Sequence, residues 1–389
     1  MSSLQQQLIQ AYKGKTVLVT GHTGFKGAWL CEWLLMLGAR VVGVALSPNT
    51  QPALFDQLGL AERLQHHVLD IRDRDALVQR VLATEADVVF HLAAQPLVRL
   101  SYDEPVETYA TNVMGTVHLL EALRQVKPRC HASNRVCATV FITTDKCYEN
   151  REWLHAYRED DALGGYDPYS SSKAAAELVI AAYGRSYFNP ARAGEPPCIG
   201  IASARAGNVI GGGDWAQDRI VPDCMRHLQQ GEPIAVRNPQ ATRPWQHVLE
   251  PLSGYLVLAA QQHRALQAQD STALRVTCTG YNFGPVLMAN QPVRALVEEI
   301  LKHWPGNWID ASDAAAPHEA GRLNLAWDKA FHQLGWQPRW DFATTIRRTV
   351  HWYRAVTSGR HAPADLVAAD IGAYASGMDS DLSGGERAA

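Results

Sequence analysis

From Lys15 to Leu37 the chain reads as three units in immediate succession. A β-branched run, Lys15-Thr16-Val17-Leu18-Val19-Thr20, is followed by a turn with glycines at 21, 24 and 27, then by an apolar-periodic stretch from Ala28 to Leu37. Strand, glycine-rich turn and helix in that order predict the first unit of a parallel α/β sheet. The glycines permit a tight turn, let backbone approach a pyrophosphate, and let the helix pack closely on the strand. The helix N-terminus meanwhile offers unpaired N–H groups to phosphate oxygens. Gly21, Thr23, Gly24, Phe25 and Gly27 are therefore candidate cofactor contacts. The spacing is G-x-x-G-x-x-G, not the commoner G-x-G-x-x-G.

The pattern continues at regular intervals. Arg40 to Leu46 predicts a second strand, ending in Ser47-Pro48-Asn49 with no acid for an adenosine ribose and no arginine for a 2'-phosphate. The missing cation favours NAD over NADP. His67 to Asp70 predicts a third strand, and Asp70, followed by Ile71, either accepts a hydrogen bond from an adenine amine or caps the helix Ala76 to Leu82. Ala86 to Ala94 predicts a fourth, and its small ending at Leu92-Ala93-Ala94 would let a cofactor lie against backbone. Pro105 and the apolar positions from Val106 to Val126 predict a long helix. On it Asn112 is either a cofactor contact or a solvated helix residue. Val136 to Thr143 predicts a fifth strand and Ile199 to Ala204 a sixth. The alternation implies a doubly wound, Rossmann-type parallel sheet, whose ligands bind at the C-terminal strand edge.

That edge delivers Thr143-Thr144-Asp145-Lys146, and a Tyr-x-x-x-Lys pair follows at Tyr169 and Lys173. On a helix opened by Tyr169, the i,i+4 spacing sets the ammonium beside the phenol. A tyrosine of pKa about 10 needs such a cation, or an oxidised nicotinamide, to act as a base near neutral pH. Between them, Tyr148 to Pro168 is a polar loop with Glu159, Asp160 and Asp161, read as a lid or substrate wall or else as a solvated surface loop. After Arg205-Ala206-Gly207 the elements shorten. Residues 14–204 are assigned to a cofactor domain with some later segments returning to it, 205–357 mainly to a smaller C-terminal substrate domain, and 358–389, rich in Ala, Asp, Ser and Gly, to a flexible tail. Asn208, Arg219, Arg237 and Arg243 are candidates for substrate phosphates, because guanidinium forks match that geometry.

Composition narrows the function classes. With 389 residues, 47% hydrophobic content and a net charge of -3, the chain can bury a large core and offers no basic excess for nucleic acid. Its first residues lack the pattern of a signal peptide, and no apolar run reaches the ~20 residues of a membrane span, so a cytoplasmic location is expected. Seven scattered cysteines without a Cys-x-x-Cys pair indicate neither a disulfide framework nor a zinc site.

Taken together, Gly21/Gly24/Gly27, Asp70, His91-Leu92-Ala93-Ala94, Asn112, Thr143-Thr144-Asp145 and Tyr169/Lys173 resemble the extended short-chain dehydrogenase/reductase superfamily. Within it, the phrases Gly21 to Leu30, Thr143 to Asn150, Gly212-Gly213-Asp214-Trp215 and Thr242 to Val248 are most similar to the CDP-glucose 4,6-dehydratase family. The resemblance, spanning about Lys13 to Thr357, implies tightly held NAD used catalytically, a nucleotide-sugar substrate and a homo-oligomer, a dimer or dimer of dimers packed through helices such as Val106–Val126 and Tyr169–Phe188. It assigns Tyr169 to the C4 proton, Thr144 to the C4 oxygen, Asp145 to the acid that protonates the departing C6 hydroxyl, and Lys173 to the phenol. Relatives acting on dTDP-glucose carry a glutamate, their presumed C5 base, where this chain has Lys146. Lys146 is therefore either itself the base, the reading favoured here, or a charge anchor beside another base. Another nucleotide-sugar 4,6-dehydratase or a 4-epimerase on the same scaffold, or a catalytically silent NAD-binding protein, are the competing expectations.

Overall fold

The structure is a computed structural model, and it describes residues 3–191, 196–312 and 321–377. Seven parallel strands form the central sheet: β1 Thr16–Thr20, β2 Arg40–Ala45, β3 Gln65–Val68, β4 Val88–His91, β5 Cys137–Ile142, β6 Ile199–Ala206 and β7 Gly280–Phe283. Their spatial order is β7-β6-β5-β4-β1-β2-β3, so the chain reverses direction across the sheet between β1 and β4. Strands so placed are covered on both faces, and β5 and β6 accordingly read as unbroken buried runs. On β1 the pleat sends Val17 and Val19 into one core and Leu18 into the other.

The labelled helices sort onto the two faces. On one side lie α1 (Leu4–Tyr12), α2 (Phe25–Met36), α6 (Leu249–Ala268), α7 (Phe342–Thr357) and α8 (Pro363–Ser376). On the other lie α3 (Arg74–Thr84), α4 (Gly115–Ser133) and α5 (Pro168–Ser186). Every residue of α2 from Gly27 to Leu34 is buried, so this helix is enclosed all round rather than amphipathic, and its one buried acid, Glu32, is paired with Arg63 at 2.6 Å. Gly21 has a φ of 75°, and a β-carbon there would meet Ala93 N at 2.6 Å; the turn therefore needs glycine to close against the end of β4.

The structure corrects several sequence expectations. Residues from 358 onward were expected to fray, yet Pro363–Ser376 is a helix with Leu366, Val367, Ile371 and Tyr374 buried. It is fastened by Arg348 to Asp370 (2.8 Å), by the Tyr374 hydroxyl donating to Glu250 (2.6 Å), and by an edge contact of Tyr374 with Trp33 of α2. Its alanines favour a helix, and packing of its apolar face supplies the rest. Residues 378–389 of the expected tail lie outside the described residues. The expected break after residue 204 falls inside β6, which runs to Ala206. The third strand ends before Asp70, and Asp73, not Asp70, caps α3 by accepting from Ala76 N–H at 3.0 Å.

The segment 148–168 is neither loose nor fully solvated. Tyr148 bridges to Leu163, Tyr157 bridges to Leu325, and Glu152 accepts the backbone N–H groups of Gly321 (2.8 Å) and Arg322 (2.6 Å). Tyr148, Tyr157, Leu323 and Leu325 form a small core of their own beneath it. Of the clustered acids Glu159, Asp160 and Asp161, Glu159 turns inward and accepts from Asn282 N–H at 2.9 Å. No helix among the described residues is long and apolar enough to cross a membrane.

Candidate active site

Four successive strand ends converge on one edge: Gly21 after β1, Leu92-Ala93 after β4, Thr143 to Asp145 after β5, and Gly207 after β6. Because the strands are parallel and adjacent in the order β6-β5-β4-β1, residues nearly two hundred positions apart become neighbours.

At the β1 and β4 ends the backbone forms a cradle. Ala93 N–H donates to Thr20 Oγ1 (3.2 Å) and Leu92 N–H to Thr20 O (3.0 Å), locking the two ends together. Gly24 caps α2 with no side-chain hydrogen bond, and the nearest atom to a β-carbon there would be Gly21 O at 3.5 Å. The first turn of α2 thus faces outward past a residue with no side chain, which suits an anion. Thr23 Oγ1 donates to Leu46 O (2.9 Å), bringing the end of β2 to the rim. Asp70 is engaged by Arg72, whose side chain first and backbone second hold its carboxyl below the ordinary value. Ile71 is buried against Gly115, and its carbonyl lies 3.0 Å from His118 Nδ1. These residues fit a dinucleotide lying across the switch between β1 and β4.

Asn112 is not solvated. It sits in a π-turn, Ala110–Met114, that joins the helix Pro105–Tyr109 to α4 and is 2% exposed. Its amide spends itself on the protein: Oδ1 accepts from Gln95 N–H (2.9 Å), and Nδ2 donates to Gln95 O (3.1 Å) and Ser172 Oγ (2.9 Å). It thereby ties the β4 loop to α5 one residue from Lys173.

Helix α5 begins where the sequence places it. Asp167 caps it, accepting from Ser170 N–H (2.9 Å), Pro168 takes the first helical position, and Tyr169 the second. Tyr169 N–H donates to Ser101 Oγ (3.1 Å), and Thr144 acts on the phenol. Burial pushes the phenol up to about 12 and pulls Lys173 down to about 8. Lys173 Nζ donates to Ile142 O at 3.4 Å, on the last residue of β5.

The short helical turn Asp145–Cys147 follows β5, and Thr144 caps it by accepting from Lys146 N–H (3.4 Å) while donating to Asp145 Oδ1 (3.0 Å). Asp145 is 2% exposed, and its Oδ2 is buried with no hydrogen-bond partner. Burial raises the Asp145 carboxyl against the opposing pull of Lys146, Thr144 and Arg243. A buried oxygen without a partner costs on the order of 1–3 kcal/mol unless something supplies one. Gly207 lies directly against that oxygen. Lys146 is half-buried, and its charge acts on Asp145.

The phosphate candidates separate. Arg243 is buried, donates to Thr242 O (2.9 Å) and acts on Asp145. Arg219 is ion-paired with Asp214 (2.9 Å) and acts on Tyr169. Asn208 is half-buried and accepts from Gln246 N–H at 3.2 Å through its backbone. Arg237 points elsewhere, paired with Asp218 on an exposed surface. Beside Thr242 opens a cavity of about 280 Å³ lined by Trp153, Leu154, Leu287, Asn290 and Arg322, with Asn290 Oδ1 buried and unpartnered. No local signal marked those residues, since they come from three distant segments.

Sequence reasoning also left Lys26 unassigned within the glycine turn. Its Nζ lies 5.8 Å over the Tyr255 ring, and burial, Arg219 and Lys173 pull it down to about 7. Glu177 and Arg205, buried beneath Lys173, went unremarked too. Among the described residues no cluster of three His, Cys, Asp or Glu side chains could hold a metal ion.

The sequence profile of the GDP-mannose 4,6 dehydratase family matches residues 18–349. A CDP-glucose 4,6-dehydratase of Salmonella typhimurium is 48% identical over 90% of this chain and 93% of that protein. A dTDP-glucose 4,6-dehydratase of Haemophilus influenzae is 26% identical over 87% and 97%. Among solved structures, DesIV, a dTDP-glucose 4,6-dehydratase of Streptomyces venezuelae with NAD and TYD bound, superposes with a TM-score of 0.71 at 24% identity, covering 90% of this chain and 99% of that one.

Proposed function

Because the chain belongs to the GDP-mannose 4,6 dehydratase family, we propose that it converts CDP-glucose to CDP-4-keto-6-deoxyglucose and water, using NAD without net oxidation. The observation that carries this reading is Asp145, buried, raised, and unpartnered at Oδ2 beside the Tyr169–Thr144 pair. A 4-epimerase needs the tyrosine, lysine and threonine but has no use for a buried carboxyl with a raised proton affinity beside them.

Gly21, Thr23, Gly24, Phe25 and Gly27 would carry the pyrophosphate of NAD, with Asp70, Ile71, Leu92, Ala93, Ala94 and Thr143 along its length and Asn112 holding the wall behind it. Bound there, NAD would supply reversible hydride chemistry. Tyr169 takes the proton of the C4 hydroxyl while Thr144 holds that oxygen, and Lys173 supports the phenolate. The 4-ketone acidifies the hydrogen at C5. Lys146 removes it, and Asp145 gives its proton to the departing C6 hydroxyl. Arg219, Arg243 and Asn208 hold the diphosphate, with 205–357 furnishing most of the substrate side.

The 48% identity to a CDP-glucose enzyme supports cytosine as the base. A cytoplasmic homo-oligomer accompanies this reading, its interface supplied by Val106, Tyr109, Met114, Leu178 and Tyr187, large apolar side chains left exposed along the helices from 105 to 133 and α5. The test uses CDP-glucose deuterated at C4. The label is expected in the new C6 methyl group; a label that washes out, or a product that has inverted C4 and kept its C6 hydroxyl, overturns dehydration. Competition among CDP-, dTDP-, UDP- and GDP-glucose checks the base.

A further inference from the structure

Helix α5 carries a third buried polar residue in line with the first two. Tyr169, Lys173 and Glu177 recur every four residues, so they stack along one face, and they are 9%, 7% and 3% exposed. Glu177 is fully engaged. Its Oε1 accepts from Thr143 Oγ1, its Oε2 from Ser203 Oγ (2.7 Å) and from Arg205 Nη2 (2.8 Å). Arg205 is itself fixed, donating to the Tyr148 hydroxyl (2.6 Å) and to Glu159 O (3.2 Å), with its guanidinium 5.0 Å over the Tyr148 ring. A buried ion pair is weak evidence for stability, since apolar residues of the same volume often serve as well. This one lies one helical turn below Lys173 and grips Thr143, the residue before Thr144.

We propose that Glu177 is the built-in counter-ion of Lys173, a positioning residue that keeps the lysine a cation beneath Tyr169 and is itself held charged by Thr143, Ser203 and Arg205. The inference rests on the reading of Tyr169 and Lys173 given above.

The surroundings of Lys173 leave this task to Glu177. From β4 comes His91, which burial and Lys173 itself drive down to about 3, so that it is neutral. From α2 comes Lys26, a like charge. From the turn after β5 comes Cys147, whose thiol burial raises far above its ordinary value, so that it too is neutral. Glu177 is the acid acting on Lys173: burial lowers the lysine, and Glu177 heads the influences that limit the fall. For Glu177 burial alone would raise the carboxyl, but Arg205, Thr143 and Ser203 together hold it below its ordinary value. Glu159, facing Arg205 from the 148–168 segment, is raised chiefly by burial, and Lys329 stands behind it.

The test follows the C4 oxidation step as transient cofactor reduction in the NAD-loaded enzyme with CDP-glucose, across pH, for wild type, Glu177→Gln and Glu177→Asp. The alkaline limb is expected to move to lower pH by about one unit or more in Glu177→Gln and to return toward its original position in Glu177→Asp. A merely structural role would scale the whole profile down without moving the limb, and that result overturns the proposal. Should Glu177→Gln fail to fold, the double variant Glu177→Gln/Arg205→Gln also removes the buried Arg205 charge that the single change would strand; it is expected to show the same direction of shift, and an unmoved limb there also overturns the proposal. Lys173→Arg separates the two layers, since a guanidinium stays charged throughout. A limb that persists in Lys173→Arg overturns the reading of the site and the proposal with it. A limb lost there but unmoved in Glu177→Gln overturns Glu177 alone.

Discussion

Gly207 and Asp145 touch across the gap between β6 and β5. A β-carbon on Gly207 would fall 2.8 Å from Asp145 Oδ2 and equally close to Pro244 Cγ. The position must therefore lack a side chain for the carboxyl to stay where it is. Gly207→Ala is expected to push Asp145 off its position and lower dehydration turnover by about tenfold or more, equivalent to roughly 1.4 kcal/mol of barrier. NAD retention should survive, because Gly207 lies away from the glycine cradle. Turnover and cofactor content measured on the same preparation check both halves.

Asp145→Asn tests the acid directly. Loss of a positioned acid costs roughly a hundredfold or more, and the variant is expected to form reduced cofactor on mixing with CDP-glucose and then stall before losing water. Rapid mixing that follows cofactor absorbance, with product analysis, reads this. Because burial raises the Asp145 carboxyl, its protonated form persists to higher pH than an exposed aspartate would allow. Wild-type elimination should therefore decline as pH rises through that raised value, in the direction that strips the proton.

The base is a separate question on the same turn. Lys146→Ala is expected to abolish exchange of the C5 hydrogen with solvent deuterium while leaving the C4 oxidation. Exchange at the wild-type rate, read by mass spectrometry of recovered CDP-glucose and product, would return Lys146 to the part of a charge anchor.

Tyr374 joins α8 to the rest of the protein. Its ring packs edge-on against Trp33 and Trp340, and its hydroxyl donates to Glu250 and lies 3.0 Å from Ser253 Oγ. Tyr374→Ala should cost at least about 3 kcal/mol, the usual price of deleting a buried aromatic ring. The shift in urea midpoint measures it, and a change under about 1 kcal/mol would mean that α8 is not part of the cooperative unit.

Glu250, at the other end of that contact, makes the docking sensitive to pH. It is fully buried, accepts from Arg339 and Trp340 N–H as well as Tyr374, and burial raises its carboxyl to about 7 despite those bonds. A folded value above the unfolded one means that its contribution is complete below about pH 4.5 and is lost as pH climbs toward about 7, on the order of 3 kcal/mol in all. In Glu250→Gln this dependence disappears. The stability difference between wild type and variant should therefore shrink as pH rises across that window, as denaturant titrations at several pH values will read.

Much of this was legible locally. A strand running into glycines at 21, 24 and 27 and the four-residue step from Tyr169 to Lys173 are short-range patterns, governed by backbone sterics and helix pitch. They located the cradle and the phenol before any packing was known. Composition, by contrast, misled at residues 363–376, because an Ala-, Asp- and Gly-bearing stretch reads as loose tail until four apolar side chains and two buried polar contacts dock it as a helix.

Sequence by itself determined that the fold is a doubly wound sheet, that Thr144 and Asp145 belong to one edge of it, since each strand delivers its next residues to that edge, and that Tyr169 and Lys173 share a helix face. Tertiary structure alone decided that Gly207 makes room for Asp145, that Asn112 serves Gln95 and Ser172, and that Arg205 reaches Glu177 under the lysine. Those contacts join segments separated by 17 to 62 positions. Nothing in the local chain encodes them, because a partner for a buried polar atom is chosen by which strands and helices lie side by side, and that is settled only when the whole core closes.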